Sequence, residues 1–99
     1  MKTTRMIIID LANEYLNDAN YSWGFISSEW VERITNELNL KNLSDLELSN
    51  MWDMVYLTIR NEFYYYDRNK EYDIANKYMD VESAFIEVVN IEARARKNK

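Results

Sequence analysis

Ninety-nine residues without a histidine, cysteine or proline, and with Gly24 as the one glycine, leave few chemistries open. Imidazole and thiolate catalysis, disulfides and the usual zinc donor sets are excluded. A net charge of −5, from 17 acids against 12 bases, opposes nucleic acid over most of the surface. What remains is a chain of single-domain size, 47% hydrophobic and 29% charged, and its eight Tyr, three Trp and three Phe suit it to gripping partners.

No apolar run approaches the roughly 18 residues of a membrane span, and Met6-Ile7-Ile8-Ile9 is too short for a secretory h-region. A cytoplasmic protein, with no membrane contact, is the expectation. The charge is uneven along the chain. Residues 29–92 hold fourteen acids and six bases, whereas 93–99 carry only Arg94, Arg96, Lys97 and Lys99.

With so little Pro and Gly, helices run uninterrupted. The first is expected from about Thr4 to Asn17, with Ile8, Leu11, Ala12, Tyr15 and Leu16 in one stripe. Residues 18–26 read as a loop in which Tyr21, Trp23 and Phe25 alternate, a pattern that fits a short extended stretch over the bundle. Ser27 or Ser28 caps a second helix to about Leu38, whose apolar face is Trp30, Val31, Ile34 and Leu38. Asn39 to Asn42 breaks it.

The third helix has the clearest start. Ser44-Asp45-Leu46-Glu47 forms a capping box, and Leu43 stands where it can staple Leu48. From there Leu48, Met51, Trp52, Val55, Ile59, Phe63 and Tyr66 hold one stripe, with Trp52 expected in the core. Asp67-Arg68-Asn69-Lys70 is the expected turn into a fourth helix, about Glu71 to Arg96, with Ile74, Tyr78, Val81, Phe85, Val88 and Val89 on its apolar face. One unbroken helix over 45–96 is the alternative. The fold expected is all-α: one domain over 1–99, a small bundle of about four helices, with a long antiparallel hairpin (about 44–66 and 71–96) and a short basic tail, 93–99.

Few constellations carry chemistry. Asp67-x-Asn69-x-Glu71-x-Asp73 resembles half a calcium loop, but Tyr72 occupies the glycine position and Tyr78 that of the bidentate acid. Asp80 with Glu87, or Glu29 with Glu32, could share a helix face, yet acids so spaced are mostly solvated surface groups. No glycine-rich phosphate loop occurs. No enzyme activity, cofactor or metal is expected.

Phe63-Tyr64-Tyr65-Tyr66 is more informative. Four consecutive helical positions span 300° of the axis, so one core cannot bury all four rings. Phe63 and Tyr66 continue the stripe, and Tyr64 and Tyr65 point away. Met54, Tyr56 and Leu57 also lie off it, so the third helix is either buried on two sides or contributes to an interface. The surface expected to bind a partner comprises Tyr64, Tyr65 and Tyr72 with Glu62, Asp67, Glu71, Asp73 and Asp80. The basic end reads first as a complement to the helix dipole. With no basic recognition helix before residue 93, direct nucleic-acid binding is not expected.

Twelve Asn and nine Ile with no Pro point to an AT-rich genome. The segments Asn61-Glu62-Phe63-Tyr64-Tyr65-Tyr66-Asp67 and Val88-Val89-Asn90-Ile91-Glu92-Ala93-Arg94 resemble small acidic accessory proteins of phages and mobile elements, of the anti-CRISPR or antirestriction kind. That resemblance implies an inhibitor in a bacterial cytoplasm whose partner is a host CRISPR or restriction nuclease, its carboxylates standing in for phosphates. The alternatives are a self-associating scaffold, for instance a homodimer, or an auxiliary nucleic-acid-binding factor.

Overall fold

A computed structural model describes residues 2–18 and 26–98. The loop carrying Tyr21, Trp23 and Phe25 lies outside them, as does Gly24. Four α-helices follow in order: α1 (Thr4–Leu16), α2 (Ser28–Glu37), α3 (Asp45–Arg68) and α4 (Tyr72–Lys97), with a 3-10 turn at Leu40–Asn42 between α2 and α3. Among the described residues there is no strand. The all-α bundle and its long α3–α4 hairpin stand as the periodicity predicts.

The helix boundaries follow from local chemistry. Thr3 and Ser27 cap α1 and α2 by accepting from the backbone N–H of Met6 and Trp30. At α3 both halves of the capping box are made: Ser44 Oγ accepts from Glu47 N–H at 3.1 Å, and Glu47 accepts from Ser44 N–H at 2.8 Å. These hydrogen bonds to its charged form hold the Glu47 carboxyl below the usual carboxylate range.

The turn after α3 differs from expectation. Asp67 and Arg68 remain helical, and the break falls at Asn69–Glu71. Glu71 N–H returns to the Tyr66 carbonyl at 2.9 Å and Lys70 N–H to that of Asp67 at 3.1 Å, a Schellman closure. It requires a left-handed residue, and Lys70 adopts φ 61° to supply it. This closure ends α3, so the unbroken helix over 45–96 does not form. Asn39, at φ 56°, ends α2 in the same hand.

α3 and α4 share the broadest contact; α1 packs against both, and α2 against α4 and the 3-10 turn. The core joins Ile8, Leu11 and Tyr15 of α1 to Ile34, Val55, Ile59, Val81, Phe85 and Val88. Leu40, in the segment expected only to break a helix, is fully buried. Two apolar assignments need correcting. Trp52 is half-buried, because it borders a groove between the start of α3 and the end of α4 instead of closed core. Ile74 is 36% exposed, and Ala75, one position round the helix, takes the inward place.

Candidate interaction surface

The eight residues singled out in the sequence do not form one patch. Tyr65, Asp67, Glu71, Tyr72 and Asp73 are exposed around the turn that joins α3 to α4. Asp67, Glu71 and Asp73 exceed Arg68 and Lys70 there by a single charge. This end of the molecule is therefore aromatic and only mildly acidic.

Tyr64 points to a different face from Tyr65. Adjacent helical residues point about 100° apart, and the two neighbours take different partners. Tyr64 meets Phe63 edge-on at 5.4 Å and flanks the Arg60 guanidinium, which sits 5.2, 5.7 and 6.0 Å from the rings of Tyr56, Phe63 and Tyr64. Tyr65 instead meets Tyr66 edge-on at 5.1 Å, and Tyr66 stacks on the buried Tyr78 at 5.4 Å. An unbroken file of rings thus runs from the exposed turn into the core. It ends where the Tyr78 hydroxyl donates to Asn13 of α1 at 2.8 Å.

Glu62 and Asp80 are half-buried. Burial pushes the Tyr78 phenol up to about 12, and the nearby Tyr66 and the Glu62 carboxylate add to the shift. Burial likewise raises the Tyr15 phenol, with Asp80 and Asp18 contributing. Glu62 and Asp80 therefore act on groups inside the bundle and stand apart from the exposed acids at the turn.

The basic end is the last turn of α4. Arg96 donates to Glu92 at 3.0 Å, to Asp45 at 2.9 Å and to the Leu40 carbonyl at 2.9 Å, tying α4 to the start of α3 and the 3-10 turn. Arg94 pairs with Glu87. Trimming this end to test nucleic-acid binding would remove a structural clamp as well as a charge.

Sequence reasoning missed three features. Arg60 and Glu82 form a two-pronged ion pair across the hairpin, signalled by an acid inside the apolar stripe of α4 between Tyr78 and Phe85. A groove of about 480 Å3 lies beside Trp52, between the start of α3 and the end of α4; its residues include Leu48, Val89, Ala93 and Arg96. Leu46 is the most exposed large apolar side chain of the described residues, and a leucine in a capping box gives no sign of that.

Among the described residues, no three carboxylates converge as a metal site would require, and no helix is long and apolar enough to cross a membrane. Compared with known proteins, the chain matches no family, no curated protein and no solved structure.

Proposed function

We propose that this chain is a non-enzymatic binding protein of a phage or mobile element, acting in a bacterial cytoplasm as an inhibitor of a host defence nuclease. The observation that carries this reading is the exposure of Tyr65 and Tyr72, together with Asp67, Glu71 and Asp73, around the turn that joins α3 to α4. Large, stiff amphipathic rings next to carboxylates make a surface that can enter an Arg- and Lys-lined groove. The rings supply contact area, and the acids steer encounter and occupy positions where phosphates would lie. A chain with neither imidazole nor thiolate has no ready base for its serines and threonines, which supports binding over catalysis.

Cleavage assays with a panel of purified CRISPR effectors and restriction nucleases test the reading. Inhibition is expected for one of them, weaker as salt rises, relieved by excess substrate nucleic acid, and lost on Tyr65→Ser with Tyr72→Ser or on Glu71→Lys with Asp73→Lys. Helicity should be unchanged in both variants. A panel left uninhibited, or a mobility shift of DNA by the protein alone, would overturn it.

A further inference from the structure

One side of α3 carries an apolar line that none of the described helices covers. Leu46 is 72% exposed, Leu57 57% and Tyr64 48%. They are separated by 11 and then 7 residues, both close to whole numbers of helical turns, so the three fall on one line along the axis. Met54 borders it and is also exposed. Asp53 and Arg60 stand within the line, and Asp53 makes no ion pair among the described residues. Arg60 binds Glu82 through Nε and one terminal nitrogen, which leaves its second terminal nitrogen to another acceptor.

We propose that this face is a self-association surface, on which a second copy of the chain packs antiparallel about a two-fold axis beside Tyr56 and Leu57. Charge selects both occupant and direction. In that register Asp53 meets the partner's Arg60, and symmetry makes the contact twice. A parallel pair would instead set Asp53, Arg60 and Arg68 against their own copies, like charge on like. Leu57 lies beside its symmetry mate at the axis, and Leu46 reaches the partner's Tyr64.

α3 is roughly 36 Å long. A single-helix seam of that length buries an area at the low end for specific interfaces, so the dimer should dissociate on the order of micromolar concentration. Tyr72 and Asp73 lie outside the seam. The proposal therefore stands or falls apart from the nuclease reading.

The absence of native cysteine makes cross-linking a clean test. Sedimentation equilibrium should show a concentration-dependent dimer, and Leu57→Glu should raise its dissociation constant at least tenfold with helicity intact. Under mild oxidation Leu57→Cys should form a disulfide-linked dimer. Leu46→Cys should not cross-link to itself, since the two copies of that residue lie about 31 Å apart. Leu46→Cys should cross-link when mixed with Tyr64→Cys. A monomer at all accessible concentrations, a dimer indifferent to Leu57→Glu, or self-cross-linking of Leu46→Cys would each overturn the proposal.

Discussion

Arg60 of α3 holds Glu82 of α4 by both carboxylate oxygens, at 2.8 and 2.9 Å, with the Glu82 side chain 11% exposed. The bond raises the guanidinium above its ordinary range, and the rings of Tyr56, Phe63 and Tyr64 surround it. Removing one partner leaves the other charge poorly solvated inside a helix interface. Replacing both leaves an apolar contact that can close.

Glu82→Leu and Arg60→Met should accordingly each lower unfolding stability by about 2 kcal/mol, less than a fully buried pair because Arg60 retains some water contact. Arg60→Met combined with Glu82→Leu should recover most of that loss. Denaturant titration of the three variants gives the coupling directly. Strict additivity of the two single losses would show that the pair does not act as a unit.

Tyr78 makes stability depend on alkaline pH. Its phenol titrates at about 12 in the folded chain against an ordinary value of 10.0, so the folded state holds that proton more tightly than the unfolded state. The contribution is complete below pH 10 and is lost as pH rises toward 12, amounting to about 2–3 kcal/mol. Tyr78→Phe should flatten the fall in stability between those limits, while giving up the hydrogen bond to Asn13 at neutral pH. An unchanged alkaline slope in this variant would refute the assignment.

Lys70 is a side chain in a backbone conformation that suits glycine. Lys70→Gly should stabilise the protein by about 0.5–1 kcal/mol, since relief of the left-handed strain outweighs the added freedom of the unfolded chain. Lys70→Val should do the reverse, and by more. Thermal melts of the pair suffice, with the sign of the glycine effect as the criterion.

Trp52 and Phe85 separate two kinds of aromatic in the bundle. Phe85→Ala opens a cavity at a fully buried site and should cost about 3–5 kcal/mol. Trp52→Ala should cost less, about 1–2 kcal/mol, because one side of the indole already faces the groove and only its stacking on Tyr56 at 5.7 Å and its buried edge are lost. Equal losses on chemical denaturation would place Trp52 in the core after all.

Where an instruction is local, the sequence shows it plainly. The capping box at Ser44 needs only four consecutive residues, and the stripe through Val55 and Ile59 needs only a period. Features that depend on what stands opposite are harder to see. Periodicity weighs large side chains and so favours Ile74, whereas the inward position at the start of α4 falls on the small Ala75. Trp52 stays half-open because the hairpin leaves a groove on its side, which the period of α3 alone does not show. The surface residues were legible as exposed or hidden only in part. Tyr64 and Tyr65 leave the core stripe and part onto different faces as their spacing requires, but the partners each meets, Arg60 for one and Tyr66 for the other, depend on side chains that no period specifies. Glu62 and Asp80 look like any helical acids until Tyr78 and Tyr15 are found beside them.

The hairpin also governs the order in which the chain can assemble. α3 and α4 are consecutive and joined by a short closed turn, so their contact forms over a small loop and incurs little closure entropy. α1 must reach across the length of the chain to place Asn13 on Tyr78, 65 residues away. Substitutions that weaken the α3–α4 seam should therefore slow folding, and those confined to α1 should chiefly hasten unfolding. Because no peptide bond precedes a proline, refolding should finish without the phase of tens of seconds that isomerisation imposes on other chains.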